Sequence, residues 1–466
     1  MEHTTPSPRP STGVAEHRLP FVRSRTMVLS LCLTACGAPS VVLGAAPSSP
    51  IVLFTDAPGA TPPAIAQASP RPQALKRWVR QHRTMVLNPA ALDALDQPHA
   101  DVVLNLFDAG TRTLDLDQPR AHSQQMKVWR GRLRGEAGSD VTLVAHGTTM
   151  VGTILSNERL YKIESTGGNL HRLVEIDEAA LPHDHHPVIV ADDPVAAPPS
   201  AGTAEQTDTV AAAGDSIVDL LVVYTSTAKT QEGGQAAMEA LIALGVDSAN
   251  QAYRNSQIAM QLQLVHTAEV AYTESGALDT DLTRLRSSTD GFMDQIHQLR
   301  DQYQADLVAL IVDNGGASCG IAYVMANGPR ASFASSAFSV TARDCIVNDT
   351  LAHELGHNMG NAHDRATGGT GVFAYSYGYR DVVGRFRTIM AYACPNVSCP
   401  RVKYFSNPNI VINGRPAGVD HAVDPANSAD NARSMNEVRQ VVAAWRAGTA
   451  DVTPPAAPRN FRAIVP

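Results

Sequence analysis

The chain has 466 residues, more than one domain of roughly 100–200 residues, so at least two folded units are expected. Hydrophobic residues at 44% and charged residues at 18% exclude a mostly disordered chain, and 33 Gly with 30 Pro in no fixed period exclude collagen. Lys+Arg 37 against Asp+Glu 45 gives −8, and no basic run reaches five residues, which argues against a nucleic-acid partner.

The first apolar stretch, Met27 to Ala46, follows Arg18, Arg23 and Arg25, the charge-then-apolar order of an export signal. Residues 1–46 therefore read as that signal with an N-terminal extension. Two processing readings stand: small residues at Gly44-Ala45-Ala46 suit ordinary signal peptidase, whereas Leu33-Thr34-Ala35-Cys36-Gly37 resembles a lipoprotein box in which Cys36 carries lipid. No later segment supplies the about 20 nearly continuous apolar residues a spanning helix needs, so a membrane is a partner only through an anchor at Cys36. The expected location is extracellular or periplasmic.

Residues 47–186 hold short alternating runs such as Val141-Thr142-Leu143-Val144-Ala145 and Thr153-Ile154-Leu155 between Gly-containing turns, which read as a small β-rich domain. Residues 187–214 have no apolar periodicity and read as an exposed linker. Beyond it, over 215–448, strand and helix alternate. Ile217–Tyr224 is a nearly continuous apolar strand; Met238, Leu241, Ile242, Ala249 and Tyr253 share a helical face; Ile258, Met260, Leu262 and Leu264 alternate as a strand. Met293, Ile296, Leu299 and Tyr303 return to helical spacing, Leu307–Val312 is a buried strand, and Ala337–Val340 reads as an edge strand. Met435, Val438, Val442 and Trp445 mark a last amphipathic helix that Gly448 can close, so the fold class is mixed α/β. Residues 449–466 resemble a linker or the stub of a fibronectin type III-like module.

Cys32 and Cys36 fall in the signal, which leaves Cys319, Cys345, Cys394 and Cys399, an even set in a chain bound for an oxidising compartment. Three pairings are possible. Cys319 with Cys345 and Cys394 with Cys399 is favoured, because the second pair is close enough to clip one loop.

The strongest chemical signal is His353-Glu354-Leu355-Gly356-His357-Asn358-Met359-Gly360-Asn361-Ala362-His363-Asp364. On a helix, His353 and His357 at i and i+4 project from one face and can hold one zinc ion. Glu354 is placed to reach a water on that ion without ligating it. Asn348 or Asp349 can cap the helix, and Gly360 can adopt the left-handed conformation that turns His363 towards the same ion. Three histidines leave a fourth position open. Downstream, Thr388-Ile389-Met390-Ala391-Tyr392 places Met390 as the Met turn that underlies such a site.

With these residues the chain resembles the metzincin zinc endopeptidases, the reprolysin-like bacterial members in particular and the peptidyl-Asp metalloendopeptidase group most closely, over about Ile217 to Ala447. The resemblance implies a twisted sheet with an active-site helix, a cleft below an antiparallel edge strand, and a smaller subdomain after Gly360 braced by Asp364. Tyr392 departs from the reprolysin pattern and is similar to astacins and serralysins, where a Tyr at that place can act as a fifth ligand or steady the transition state; a core or rim Tyr is the other reading. The expected activity is that of a monomeric zinc endopeptidase on protein or peptide substrates, with Glu354 as general base and acid, and the Ala337–Val340 strand pairing with the substrate main chain. Structural calcium is left open.

The resemblance further implies cleavage on the amino side of Asp, which requires a cation in the receiving pocket, ideally an Arg. Arg401, Lys403, Arg385 and Arg387 are candidates, each read singly as a solvated surface charge. Residues 47–186 resemble the β-rich propeptides of such enzymes, so the chain's own propeptide is its expected inhibitor. No cysteine lies between Pro47 and Ser318, which excludes a propeptide thiolate as the latency ligand. His183-Asp184-His185-His186 can place an Asp or His there, but reads first as a solvated polar tract. Two rivals use the same residues: a catalytically silent binding module on this fold, against which Glu354 and the three histidines argue, and a zinc hydrolase of a non-protein amide such as a cell-wall peptide.

Overall fold

The computed structural model describes residues 50–57, 76–97, 101–107, 110–121, 125–190 and 215–446. The export signal, most of the linker, Gly448 and the C-terminal stub lie outside the described residues. Among those described, no helix is long and apolar enough to cross a membrane.

The N-terminal part is an antiparallel meander whose core strands are Met126–Leu133, Asp140–His146, Thr149–Ser156, Arg159–Gly167 and Leu170–Ile176, with Val79–Leu87 pairing to the last. Short turns set the register: Asn157 and Glu158 both take positive φ between Thr149–Ser156 and Arg159–Gly167, the conformation a two-residue hairpin needs to match the strand twist. Both faces of this sheet are covered. Trp129, Leu143, Ile154, Tyr161 and Leu173 face its own core, while their neighbours Val128, Val144, Val151, Leu160 and Val174 join the core that continues into the second half of the chain. The two halves therefore share one hydrophobic core.

The second half is built on a six-stranded sheet in the order Val188–Ile189, Gly320–Val324, Phe338–Ala342, Leu307–Val312, Ser216–Thr225, Met260–Val270. Neighbours are parallel except Gly320–Val324, which runs antiparallel to Phe338–Ala342. Parallel strands covered on both sides read as continuous apolar runs, as Leu307–Val312 does. The 21-residue helix Gln235–Asn255 is wedged between this sheet and the N-terminal one, so residues all round it are buried. Helix Asn431–Val442 closes the far side and the short helix Thr350–Asn358 crosses below the Gly320–Val324 end.

Two expectations are corrected. Of the expected edge strand Ala337–Val340, Phe338–Val340 lies in the internal strand Phe338–Ala342, buried along its length, because Gly320–Val324 pairs outside it. That run is continuous apolar sequence, Ile321-Ala322-Tyr323-Val324. Val188–Ile189, assigned to the linker, forms a two-residue strand parallel to it.

Candidate active site

Helix Thr350–Asn358 carries the first two histidines. It has no side-chain cap: Asp349 sits at φ 60° where a 3-10 turn runs straight into the helix, and its carboxylate instead accepts a hydrogen bond from Ser248 at 2.5 Å. The capping expectation for Asn348 or Asp349 is thus replaced by a tie to the long helix. Asn358 anchors the other end, donating to the Tyr323 and Phe338 carbonyls at 2.8 and 3.1 Å, which fixes the helix against strands Gly320–Val324 and Phe338–Ala342.

Gly360 follows at φ 89°, and a Cβ there would stand 2.5 Å from Val372 Cβ, so both backbone and space demand glycine. The turn delivers His363, in the short strand Ala362–Asp364, to the face of the helix. The Nε2 atoms of His353, His357 and His363 stand 3.1 Å apart in all three pairs. Ligands on one tetrahedral zinc at about 2.0–2.1 Å lie about 3.3 Å apart, so the spacing suits one ion. Tautomers agree with that. His353 Nδ1 donates to the Ile389 carbonyl at 2.8 Å and His357 Nδ1 to the Asn361 carbonyl at 2.7 Å, which leaves Nε2 lone pairs facing one another, an arrangement that a cation relieves. Burial pushes His353 down to about 4 and depresses His357 and His363 as well, keeping all three in the neutral form that binds metal.

Glu354 is fully buried, and neither carboxylate oxygen has a hydrogen-bond partner. Burial raises its pKa well above the ordinary carboxylate range, Asp184 adds to that, and Arg401 opposes it. Gly320 makes room: a Cβ there would lie 2.5 Å from Glu354 Oε1.

Met390 forms the floor. A Cβ at Gly356 would be 2.6 Å from its sulfur, so the helix and the Met turn touch through a glycine, and the Ile389 carbonyl beside it orients His353. Asp364 clamps the exit of that turn by accepting from the Tyr392 amide at 3.1 Å and pairing with Arg380 at 2.7 Å. The Tyr392 ring packs 4.3 Å from the His363 ring, while its hydroxyl donates to the Asp184 carbonyl at 2.5 Å. Disulfides join Cys319 to Cys345 and Cys394 to Cys399, the pairing favoured from spacing; the first ties the start of strand Gly320–Val324 to the turn before the active-site helix, the second clips the loop after Met390.

The expectation that His183–His186 is a solvated polar tract holds for the three exposed histidines and is corrected at Asp184. His185 N donates to the Gly320 carbonyl at 2.8 Å, and Asp184 is buried beside the metal cluster. Of the four cations read as solvated, Arg387 and Arg401 are buried, Lys403 is half-buried on Asp140, and only Arg385 is exposed. No local sequence signal marks Asp184 or Arg401, because each is explained by the other, 217 residues away.

This fold and three-histidine cluster define a zinc metallopeptidase. The profile of the Metallo-peptidase family M12B Reprolysin-like matches residues 215–419. The chain is 35% identical over 434 residues to a peptidyl-Asp metalloendopeptidase of Xanthomonas campestris pv. campestris, spanning 90% of this chain and 99% of that protein. It is 37% identical over 340 residues to a protein of the same name from Stenotrophomonas maltophilia, spanning 71% and 76%, and 34% identical over 199 residues to one from Pseudomonas fragi, spanning 42% and 99%. The chain belongs to the peptidyl-Asp metalloendopeptidase family of reprolysin-like metallopeptidases. It is accordingly a zinc metalloendopeptidase acting on protein or peptide substrates.

Proposed function

We propose that the chain is an exported zymogen whose C-terminal half, 215–448, cuts internal peptide bonds on the amino side of Asp, and whose residues 47–186 are an inhibitory propeptide. The observation that carries the chemistry is a fully buried Glu354 with two unpartnered oxygens beside three convergent histidine nitrogens. His353, His357 and His363 hold zinc, which when bound supplies Lewis acidity that activates water and polarises the scissile carbonyl. Glu354 takes the proton from the attacking water and passes it to the leaving amine nitrogen. Tyr392 donates to the substrate carbonyl once its hydroxyl leaves Asp184; its ring packing on His363 supports this role. Gly320–Val324 offers main-chain groups to an extended substrate. Support for inhibition is that 183–189 lies along this same strand, with Cys319 N donating to the His183 carbonyl at 3.0 Å. Support for Asp preference is that the relatives are peptidyl-Asp metalloendopeptidases.

The test is to supply zinc to the chain and its Glu354→Gln variant, add a denatured protein mixture, and map new termini by mass spectrometry. Cuts before Asp that vanish in the variant are expected; cuts that survive Glu354→Gln would sink the mechanism.

A further inference from the structure

Beside the three histidines lies a polar cavity lined by Glu178, Asp184, Asn348, Arg387, Tyr392 and Arg401. Two arginines from the segment around the Met turn meet two carboxylates from the N-terminal half in it. Arg401 Nη2 donates to Asp184 Oδ2 at 2.5 Å, and its Nη1 donates at 2.7 Å to the carbonyl of Asn348, which ends the 3-10 turn before the active-site helix. Asp184 Oδ1 accepts from Thr350 Oγ1 at 3.1 Å, and its Oδ2 lies 3.7 Å from His353 Nδ1. Arg401 and Asp184 are both buried. Arg387 is occupied otherwise: it donates to the Ala391 and Cys399 carbonyls and turns only Nη2 to Glu178, at 2.6 Å.

We infer that Arg401, with Thr350, is the receptor for the substrate Asp side chain, and that Asp184 fills this receptor as a built-in substrate mimic; the inference rests on the endopeptidase reading above. Three features carry it. The Asp184 backbone is beside the metal centre, held by Tyr392, whose ring packs on His363, so a peptide in the same groove puts the side chain of a residue flanking the reacting bond where the Asp184 carboxylate now sits. Arg401 is fixed by Asn348 and keeps Nε buried without a partner, so its fork has a second donor for a carboxylate. A buried guanidinium cannot be left bare without a large desolvation penalty, so the pocket favours an acidic occupant over a neutral one in either state. Arg387 adds a positive field and orders the loop through Cys399, and loses its Glu178 partner whenever the N-terminal half leaves. Asp184 thus works through the specificity pocket, without having to act as a metal ligand.

The experiment uses the full chain, zinc-supplemented and left to process, with two peptides that differ only by Asp or Asn after the scissile bond. In wild type the Asp peptide has the higher kcat/KM. In Arg401→Gln the Asp-to-Asn ratio falls by about 100-fold or more, as expected when one member of a buried charged pair is removed, while the Asn peptide is still cut; Arg401→Lys keeps part of the ratio. An Arg401→Gln enzyme that retains the wild-type ratio overturns the inference and leaves the endopeptidase reading intact. A wild type that cuts without any Asp preference overturns the reading itself. Should Arg401→Gln cut neither peptide, a second readout decides: in the unprocessed Glu354→Gln chain, Asp184→Asn should speed hydrogen exchange at the His185 amide, and unchanged exchange there overturns the occupancy of the pocket by Asp184.

Discussion

Lys162 is a direct probe of how the two halves are joined. It projects from the N-terminal sheet, is fully buried, and places Nζ 3.0 Å from Glu232 Oε2, 3.1 Å from Glu164 Oε2 and 3.6 Å from Asp344 Oδ1. Arg343 completes the cluster at 2.8 Å from Glu232 and 2.9 Å from Asp344. Substituting Lys162→Met keeps the length of the stem and removes the ammonium, so Glu232, whose Oε1 already lacks a partner, shares one cation with Asp344. Breaking a buried pair in this way costs about 3–5 kcal/mol. The unfolding entropy of about 2.1 cal/mol/K per residue, over roughly 350 residues that share one core, converts this to a fall in Tm of about 4–7 °C. The assay is calorimetry on the Glu354→Gln background, which prevents self-processing. Adding Glu232→Gln to Lys162→Met should recover part of the loss, since the uncompensated charge goes with it. A Tm within about 1 °C of the parent, or a double variant whose loss is the sum of the singles, would refute the reasoning.

Other outcomes follow from single contacts. Gly320→Ala drives a methyl into Glu354, 2.5 Å from Oε1, and is expected to lower kcat by about 100-fold or more with Tm nearly unchanged, read by peptide hydrolysis and calorimetry. Gly356→Ala pushes on the Met390 sulfur, overpacking the floor at about 1–3 kcal/mol, seen as a lower denaturant midpoint. Chelation should abolish activity and lower Tm, with both restored by zinc, because neutral imidazoles otherwise face one another across 3.1 Å. Asp306 is pushed up to about 7 by burial, against hydrogen bonds from the Asp219 and Arg446 amides. Its folded pKa lies above the unfolded one, so its stabilising contribution is complete below about 4 and is lost as pH rises through about 7, up to about 4 kcal/mol in all. The Tm difference between wild type and Asp306→Asn should therefore shift against wild type between pH 5 and pH 8; a constant difference would show that burial does not hold the proton there.

The convergence of the three histidines was legible because it is local. His353, Glu354 and His357 share a helical turn, Gly360 announces the bend, and His363 follows it, so periodicity and one glycine suffice to bring them together. The strands Ser216–Thr225 and Leu307–Val312 were legible for a related reason: strands covered on both faces have little choice but to be apolar throughout. Gly320–Val324 obeys the same rule, yet nothing in its composition says that it, and not the neighbouring Phe338–Ala342, takes the outer position. That is decided by pairing partners, which a single run does not encode.

The buried charges are illegible in the sequence for a deeper reason. Taken one at a time, an Arg or Asp belongs in water, because burying an unpaired charge is prohibitive. Here the exception is made by partners remote in the chain: Arg401 with Asp184, Arg387 with Glu178, Lys162 with Glu232, at separations of 217, 209 and 70 residues. Each pair spans the junction between the N-terminal half and the catalytic half. The side chains that look most like solvated surface in the sequence are therefore the ones that join the two halves. Removing the N-terminal half returns the catalytic members of each pair to water or to a ligand, and for Arg401, in a pocket beside the three histidines, a ligand carboxylate is the partner its chemistry selects.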